Sequence, residues 1–558
     1  MKDQIVIISS LEKVFPNQTN VTGMDCPSFT MLQQDLLSFQ VAIRLDGNGR
    51  SFRHKVKIDV ESPLVQRITV QKVEAVPSML PSYIKTDDNY LKTEPGLFPD
   101  LLRPLEDRSC FILSEQWACF WVEIDSNGDC PSGTFPVTIH VNYERALPLF
   151  TNTQLSTAMD VEVISAQLPK QNLIYTEWFH GDCIADFYNI EVFSAFHWIA
   201  MERQIALAAH RGINMMLTPI FTPPLDTQVG GERTTIQLVD IKLKDSKFIF
   251  NFENLERWVL MCQRCGITYF EMAHLYTQWG AEHCPKIMAE VDGVYKRIFG
   301  WDTDAVGGSY LQFLNQFLPE LTKELKRLNI ADKTIFHISD EPKQKHLEQY
   351  HKVKQQVLPY LEGFTVMDAL SSYDFYQQGI CENPIVSTNH VTPFIENHVS
   401  PLWVYYCCSQ GDKVSNRFMA MPSARNRIIG IQLYKYDVAG FLHWGLNFYN
   451  SQYSLRHINP YETTDADMAF PSGDAFAIYP GKNGIPYESI RLVVFYEAIN
   501  DLRALQLLEF MSDKNYVMAL IEEDYSEEIT FFSYPKSAQY LLNLRQKVNK
   551  EIKKRLKS

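Results

Sequence analysis

The sequence predicts an α/β protein in which a parallel (β/α)8 TIM barrel follows an N-terminal all-β sandwich and precedes a C-terminal helical extension. Three observations lead to this prediction. The chain has 558 residues, too many for one ordinary core. Its first 165 or so residues alternate short apolar runs with turns. Strand-like runs then alternate with helical patterns of ten or more residues, which is typical of parallel strands joined by helices.

The domain boundaries are placed where the pattern changes. We predict a sandwich at 1–165, a catalytic barrel at 166–510 and a helical extension at 511–558. In the first part, runs such as Val41–Leu45 and Val56–Val60 are bounded by turns, as in strands that pair across a sandwich. We expect an accessory packing role for this domain.

Eight strands and the helices between them make up the predicted barrel. The strands are expected near Leu173–Trp178, Ile213–Pro219, Ile267–Ala273, Thr334–Ser339, Phe364–Met367, Pro384–Thr388, Leu402–Tyr406 and Gly440–Trp444. The helices are expected near Val192–Arg211, Leu255–Cys265, Tyr310–Leu328, Lys343–Leu358, Phe375–Gln378, Pro393–Glu396, Ala424–Tyr434 and Ser489–Glu509. A hairpin at Val239–Phe250 lengthens the second connection, and long insertions at this end of a barrel usually shape a substrate cleft.

Two adjacent carboxylates follow the fourth strand. The run Thr334–Ser339 is apolar and leads into Asp340 and Glu341, and Pro342 suits the first turn of a following helix. The carboxyl ends of barrel strands face the active site, which favours a catalytic role for the pair. The alternative is that both acids only cap the next helix, because acidic side chains are favoured in a first turn.

Several short motifs resemble one known family. The segment Phe336–Pro342 resembles the catalytic strand of the proteins that carry the domain of unknown function 4091, whose characterised branch is glycoside hydrolase family 123, the β-N-acetylgalactosaminidases. Further motifs resemble that family in the same order, at Pro95–Pro104, Pro131–Phe135, Gly440–Asn447, Gly473–Gly481 and Ser489–Leu492. The resemblance therefore covers nearly the whole chain.

The resemblance implies a retaining exo-β-N-acetylgalactosaminidase that acts on glycan or glycolipid-type oligosaccharides. In such substrate-assisted enzymes the 2-acetamido oxygen of the sugar attacks its own anomeric carbon. By resemblance, Glu341 is the acid/base, and Asp340 accepts the acetamido N–H and stabilises the oxazolinium charge. Neighbouring side chains on a strand point to opposite faces, so both can reach one substrate only where the chain is turning.

Two alternatives to this function remain open. One is a conventional two-carboxylate retaining glycosidase on the same barrel, with Glu341 paired with an acid such as Glu271 or Asp182. The other is a glycan-binding protein without catalysis. After Arg491 and Leu492 the acidic-aromatic motif of the family is replaced by Phe495–Arg503, which weakens the transfer of specificity. Galacto or gluco preference and endo or exo action are not fixed by the sequence.

Polar and aromatic residues concentrate at the predicted strand ends, and aromatic rings stack on the apolar faces of sugars. The predicted substrate-binding residues are Trp178, His274, Trp279, His337, Asn389, Tyr405, Tyr406, Trp444 and Asn447. The resemblance adds Tyr479 from a Tyr-Pro-Gly loop. We expect Trp444, Tyr479 and Tyr406 to line the sugar subsite.

Composition limits the partners. The net charge of −14 argues against nucleic acid or an anionic membrane, and a neutral carbohydrate remains compatible. The 11 cysteines are scattered, which is typical of reduced thiols, and Cys262 and Cys265 have no second ligand pair for zinc. We predict no metal and no cofactor. The start of the chain carries no signal-peptide pattern, so we expect a cytoplasmic protein, whose oligomeric state the sequence leaves open.

Overall fold

A computed structural model describes residues 2–24, 28–145, 151–342 and 344–556. The first part of the chain is built of strands. They are β1 (Gln4–Ser9), β2 (Ser28–Gln33), β3 (Leu36–Arg44), β4 (Arg53–Glu61), β5 (Ile68–Ser78), β6 (Gly96–Pro104), β7 (Ser109–Leu113), β8 (Trp117–Asp125), β9 (Gly133–Arg145) and β10 (Thr151–Gln167).

The rest of the chain mixes strands and helices. Its strands are β11 (Ile174–Glu177), β12 (Met215–Thr218), β13 (Asp240–Lys244), β14 (Lys247–Asn251), β15 (Tyr269–Met272), β16 (Ile287–Val291), β17 (Val294–Phe299), β18 (Thr334–Phe336), β19 (Thr365–Val366), β20 (Asp368–Ala369), β21 (Pro384–Ser387), β22 (Trp403–Tyr405), β23 (Gly440–His443), β24 (Ile478–Pro480) and β25 (Pro486–Ser489).

The helices lie between and after these strands. They are α1 (Gly181–Tyr188), α2 (Ala195–His210), α3 (Glu253–Cys265), α4 (Gly308–Arg327), α5 (Leu347–Val357), α6 (Tyr373–Gln377), α7 (Thr392–Glu396), α8 (Ser423–Arg427), α9 (Ile429–Lys435), α10 (Ile490–Phe510), α11 (Lys514–Glu522) and α12 (Ala538–Arg555). Short 3-10 turns occur at Val65–Arg67, Ala331–Lys333, Gln344–His346, Leu358–Tyr360, Gln452–Ser454 and Lys482–Gly484. Lys343, where one helix was predicted to begin, lies outside the described residues.

Two sheets form the N-terminal region. One has the order β1-β3-β8-β5-β6-β25-β24, and the other has the order β2-β10-β9-β4-β7. Alternate residues such as Val137, Ile139 and Val141 of β9 share one buried cluster with Phe39 and Val41 of β3. This is the period-2 burial that the sequence pattern predicts for strands with one apolar face. The predicted β-rich N-terminal region is confirmed.

A parallel sheet of nine strand segments carries the centre of the molecule. Its order is β19-β18-β15-β12-β11-β23-β22-β21-β20, and every pairing in it is parallel. The two end segments, β19 and β20, are separated in the chain by Met367 alone. All eight predicted strands are present, most of them slightly shorter than predicted, and the fifth is split into these two segments.

The two faces of this sheet pack differently. On one face, alternate residues such as Met216, Val404 and Phe441 belong to the large core shared with the helices. On the other face, their neighbours Met215 and Leu442 belong to a smaller cluster supplied mainly by the strands themselves. The mixed α/β prediction is confirmed, since helices cover one face of the parallel sheet and the opposite face packs against itself.

Long connections add a four-stranded sheet of order β14-β13-β16-β17. The hairpin β13–β14 is the one predicted in the second connection, and it pairs in register from Asp240 with Asn251 to Lys244 with Lys247. The hairpin β16–β17 in the third connection was missed, because its strands carry charged and apolar residues without a clear alternation. Both hairpins lie in connections that follow strands of the parallel sheet.

The C-terminal part of the chain ties the two regions together. The hairpin β24–β25 extends the N-terminal sheet through antiparallel pairing with β6. The Asn549 amide of α12 donates to the backbone carbonyl of Thr30 on β2 at 3.1 Å. The predicted helical C-terminal end is confirmed by α11 and α12. None of the helices among the described residues combines the length and the apolar character that crossing a lipid bilayer requires.

Candidate active site

A cavity of about 210 Å³ opens at the carboxyl ends of the parallel strands. Its lining combines acidic, aromatic and small polar side chains. The lining residues are Trp178, Leu225, Asp226, Gln278, Trp279, Asp340, Glu341, Ala369, Tyr405, Cys407, Cys408, Leu442, Trp444, Gln452, Tyr453 and Phe470. Sixteen residues from well-separated parts of the chain therefore meet at the position where the sequence predicted catalysis.

The two adjacent carboxylates lie on a sharp turn. Strand β18 ends at Phe336, and the backbone reaches the left-handed conformation at Glu341, whose φ is 43°. A non-glycine residue in this region is uncommon and costs of order 1–3 kcal/mol, and such strain clusters at active sites. The backbone N–H of Trp279 donates to the Asp340 carbonyl at 3.0 Å and ties the turn to a neighbouring loop. Because the strand has ended, both carboxyl groups reach the same cavity.

Glu341 is held by a tyrosine from a different strand. The hydroxyl of Tyr405, the last residue of β22, donates to Oε1 of Glu341 at 2.7 Å. Burial, and then the negative charge of Glu341, raise the pKa of Tyr405 well above its usual value, so it stays protonated as a donor. This contact fixes one carboxylate oxygen of Glu341, and Glu341 lines the cavity.

The surroundings of Asp340 disfavour the negatively charged form of its side chain. It is half-buried, and no donor among the described residues contacts its carboxyl oxygens. Burial, and then the negative charges of Glu341, Asp368 and Asp226, raise its pKa well above the usual range, while His337 opposes the shift. A group that donates a hydrogen bond to Asp340 would therefore stabilise its charged form.

A buried polar network lies beneath the two carboxylates. Nδ1 of His337 donates to the Met367 carbonyl at 2.7 Å, and Nε2 lies 3.3 Å from Oε2 of Glu271. Burial lowers the pKa of His337, but its contacts with Asp368 and Glu271 outweigh burial and raise it to about 10. His337 is therefore an imidazolium held between two carboxylates.

His274 packs against this network by ring stacking, and neither of its buried nitrogens has a hydrogen-bond partner among the described residues. Its ring stacks on His337 with centroids 4.6 Å apart, and its burial, with the charge of His337, lowers its pKa well below 6.5. Ligand atoms of His274, His337 and Asp368 lie within 4.8 Å of one another, a spacing that a metal ion could use. Both His337 nitrogens are already engaged by acceptors, so these residues fit a protonated ion-pair network better than a metal site.

Aromatic rings form much of the cavity wall. Trp178, Trp279, Tyr405 and Trp444 were predicted as substrate-binding residues, and the structure places all four in the lining. The Trp444 indole N–H donates to Asp474 at 2.8 Å, which fixes the plane of its ring. Rings held in this way offer apolar faces to a sugar.

Two aromatic residues that were predicted to line the sugar subsite, Tyr406 and Tyr479, are not in the described lining of the cavity. Tyr406 is fully buried and packs on Phe441 on the face of the sheet opposite the cavity, because strand alternation turns it away from its neighbour Tyr405. Tyr479 is also fully buried, and its hydroxyl donates to Asp100 of β6 at 2.6 Å. Both support the structure at a distance from the cavity surface.

Four predicted polar residues are also outside the described lining. Asn447 is buried, and its amide oxygen accepts from the His180 backbone N–H at 2.7 Å. His274 and His337 lie beneath the cavity in the buried network. Asn389 is half-buried and accepts from the Gln410 side chain at 2.9 Å. The structure therefore places none of these four side chains in the described lining, and their contact with substrate stays a prediction.

The acids named as partners in a conventional carboxylate pair are not in the described lining either. Glu271 is buried against His337 and accepts from the Thr176 hydroxyl at 3.0 Å. Asp182 is buried and receives two 2.8 Å hydrogen bonds from Arg233. Charges paired and buried in this way are poor nucleophiles toward a substrate in the cavity.

Sequence analysis missed a third carboxylate in the cavity, Asp226, together with Gln278, Tyr453 and the adjacent Cys407 and Cys408. Asp226, Gln278 and Tyr453 belong to loops, whereas the two cysteines follow the end of β22. Asp226 and Tyr453 both adopt left-handed conformations, with φ of 40° and 59°. That strain in non-glycine residues is visible only in the folded chain.

A larger hollow of about 420 Å³ lies on the N-terminal region, where Lys72, Glu74 and Phe111 contribute to its wall. Its charged groups already have partners, since Lys72 lies 3.5 Å from Glu74 and Arg53 stacks on Phe111. The smaller cavity contains adjacent carboxylates, and among the described residues no lysine, arginine or histidine forms an ion pair with them. The adjacent carboxylates therefore identify the smaller cavity as the better candidate for the active site.

A family model decides the identity of the chain. The model of the glycoside hydrolase 123 catalytic domain matches residues 178–508, which contain every residue of the cavity lining. The chain belongs to glycoside hydrolase family 123. The resemblance seen in the sequence is thereby confirmed, and the family 123 chain is a glycoside hydrolase with a carbohydrate substrate.

Solved structures agree with this family 123 assignment at the level of the fold. A family 123 glycoside hydrolase from Clostridium perfringens, studied for glycolipid glycan hydrolysis, superposes with a TM-score of 0.72 at 15% sequence identity, covering 99% of this chain and 97% of that chain. A family 5 mannosidase from Rhizomucor miehei reaches a TM-score of 0.30 at 11% sequence identity, covering 60% of this chain and 93% of that chain. A TM-score this low supports no conclusion about the fold. No curated protein matches the chain.

Proposed function

We propose that this glycoside hydrolase is a retaining exo-β-N-acetylgalactosaminidase in which the 2-acetamido group of the substrate is the nucleophile. The observation that carries the proposal is the turn at Glu341, where two carboxyl groups adjacent in the chain line one cavity. A substrate-assisted reaction needs one acid/base and one group that orients the acetamide. It needs no carboxylate placed across the scissile bond as a nucleophile.

Each carboxylate has a role that suits its contacts. Glu341, oriented by the Tyr405 hydroxyl at 2.7 Å, protonates the leaving oxygen and then activates a water molecule. Asp340 accepts the acetamido N–H, and this donor would compensate for the lack of any donor to its carboxyl group among the described residues. As positive charge develops on the oxazolinium ring, ionised Asp340 stabilises it.

The substrate class is part of the same proposal. The structural neighbour from Clostridium perfringens concerns glycolipid glycan hydrolysis, and this supports a glycan or glycolipid-type oligosaccharide as substrate. A cavity of about 210 Å³ is smaller than the roughly 300–1,000 Å³ of pockets for drug-sized ligands. A single terminal sugar suits that size, so exo action is favoured.

We also propose that the nine-segment sheet is a closed (β/α)8 barrel, with the catalytic domain at 166–510 between a sandwich at 1–165 and an extension at 511–558. The support is that the end segments β19 and β20 are consecutive in the chain. Each also pairs with a different neighbour, β18 or β21. A self-packed inner face is typical of the side-chain layers that fill such barrels.

A conventional double displacement remains the second candidate, because Asp226 also lines the cavity. Comparison of β-N-acetylgalactosaminides with the corresponding 2-hydroxy galactosides tests the choice. Our proposal expects hydrolysis of the N-acetylated substrates and at least about a hundredfold lower kcat/KM without the acetamide, since the nucleophile is then missing. Equal rates on both substrate sets would favour the conventional mechanism.

A further inference from the structure

Asp226 is an acid whose position is set by three loops. Its backbone N–H donates to Oε1 of Gln278 at 2.7 Å, and its backbone carbonyl accepts from the Ser454 hydroxyl at 2.8 Å. Its Oδ2 accepts from the Tyr453 backbone N–H at 3.0 Å. These contacts hold Asp226 in a left-handed conformation that a free loop would rarely adopt.

One oxygen of this carboxylate remains available. Among the described residues, no donor contacts Oδ1 of Asp226, while Asp226 itself lines the cavity beside Gln278. The nearby Arg233 cannot neutralise it directly, because that guanidinium is engaged by Asp182 and by the Leu225 carbonyl. A carboxylate oxygen without a donor, on a residue that lines a cavity, is a strong acceptor for a hydroxyl group of a ligand.

The charged groups in the cavity lining restrict which substituents a bound sugar can carry. Its described lining contains three carboxylates, Asp226, Asp340 and Glu341, and no lysine, arginine or histidine. An anionic substituent such as a sulfate ester on the bound sugar would lie close to these acidic groups and would find no cationic side chain in the described lining. Uncharged hydroxyl groups would meet acceptors.

We propose that Asp226 binds a hydroxyl group of the terminal sugar through Oδ1 and thereby makes the enzyme specific for sugars in which that hydroxyl is free and not sulfated. This proposal rests on the proposed function, since it concerns the same cavity and a sugar in it. Asp226 reaches this cavity from a different part of the chain than the pair at 340–341 and is bonded to Gln278 and Tyr453. In this proposal Asp226 determines specificity, and Asp340 and Glu341 carry out the chemistry.

Deoxygenated substrates test this role. Wild type and Asp226→Asn are compared on aryl β-N-acetylgalactosaminide and on its 3-, 4- and 6-deoxy analogues, with Glu282→Gln as the control. Glu282 is exposed on the same loop as Trp279, so the control removes one charge outside the cavity. We expect one deoxygenation to lower the kcat/KM of wild type and of the control about tenfold to a hundredfold, as loss of a charged hydrogen bond does. The same deoxygenation should lower the kcat/KM of Asp226→Asn by a clearly smaller factor, because the variant has already lost the charged partner. The sulfate ester at that position should be rejected by wild type and accepted relatively better by the variant.

Two outcomes would overturn the proposal. One is that every deoxygenation costs the variant as much as wild type, with thermal unfolding showing that the variant is folded. The other is covalent labelling of Asp226 by a 2-fluoro glycoside, which would make it a nucleophile. If wild type hydrolyses neither the parent glycoside nor any deoxy analogue, the proposed function fails. The role of Asp226 is then tested by calorimetry, which compares the binding of N-acetylgalactosamine and of its deoxy forms to the same three proteins. Absence of binding by wild type would overturn both.

Discussion

The hydroxyl of Tyr405 donates a 2.7 Å hydrogen bond to Oε1 of Glu341, and this contact joins the ends of two separate strands. Tyr405 closes β22 and Glu341 follows β18. The hydrogen bond therefore holds the acid/base in one orientation although its own backbone is a strained turn. An acid that must deliver a proton to one oxygen gains from such positioning.

Tyr405→Phe should lower kcat about tenfold to a hundredfold, because a hydrogen bond to a charged group is worth about 1.5–3 kcal/mol. The ring remains, so stacking in the cavity and KM should change little. Tyr436→Phe is the matched control, since its hydroxyl contacts the Ile529 carbonyl far from the cavity. Steady-state kinetics of both variants check the prediction, and an unchanged kcat in Tyr405→Phe would contradict the positioning role.

Glu341→Gln should lower hydrolysis of substrates with poor leaving groups about a hundredfold to ten-thousandfold, the usual contribution of general acid catalysis. Aryl glycosides with highly activated leaving groups should be affected much less, because their departure needs little protonation. The measurement is kcat/KM across a series of leaving groups, with Glu282→Gln as the control for charge. Full turnover of a natural disaccharide by Glu341→Gln would remove this residue from the acid/base role.

The buried network predicts a pH dependence of stability. The pKa of His337 is raised from 6.5 to about 10 in the folded state, so its proton favours folding. That contribution is fully present below about pH 6.5 and is lost as the pH rises through about 10. Urea unfolding should therefore show a difference between wild type and His337→Gln that shrinks over this range.

A direct measurement covers the case in which His337→Gln does not fold. Ring nitrogen chemical shifts of wild type at about pH 8, where an ordinary histidine is neutral, should show His337 as an imidazolium. The signals of a neutral ring at that pH, or an unfolding difference that is constant with pH, would contradict the assignment of charge.

An ion pair between the N-terminal sheet and α10 is expected to stabilise the folded protein. Asp100 accepts from Nε and Nη2 of Arg491 at 2.7 and 3.0 Å, and both side chains are buried. Asp100→Asn should destabilise the protein by about 3–5 kcal/mol, since it leaves a buried guanidinium without its counter-charge. Asp107→Asn, at an exposed left-handed position that asparagine tolerates, is the control. Equal thermal midpoints for the two variants would contradict the role of this pair.

Local sequence patterns predicted the parts of the fold that depend on local periodicity. The strands of the parallel sheet were found because their apolar runs are bounded by polar residues, and Asp340 and Glu341 were found because they follow such a run. The hairpin β24–β25 was not foreseen as part of the N-terminal sheet, since its pairing with β6 joins residues far apart in the chain. Local periodicity carries no information about such pairing.

In the site too, local sequence patterns located the residues near strand ends but could not locate those placed by contacts between distant loops. Trp178, Trp279 and Trp444 stand at or near strand ends, and the structure places all three in the described lining of the cavity, while their contact with substrate stays a prediction. Asp226 was missed because its place depends on the contacts with Gln278 and Tyr453 from other loops. Tyr479 was expected in the subsite because of a motif that resembles a family, and the structure instead shows its hydroxyl bonded to Asp100, a contact that such a motif can preserve as well as a ligand contact.

The central claim is that the substrate supplies the nucleophile, and inhibition by a thiazoline analogue of N-acetylgalactosamine tests it most directly. The thiazoline mimics the bicyclic intermediate and should inhibit far better than the free sugar, as transition-state-like ligands do. Asp340→Asn should weaken this inhibition by about 2–4 kcal/mol, the usual cost of deleting an electrostatic stabiliser. If the thiazoline inhibits no better than the free sugar, and a 2-fluoro glycoside labels a carboxylate of the enzyme covalently, the substrate-assisted account is contradicted.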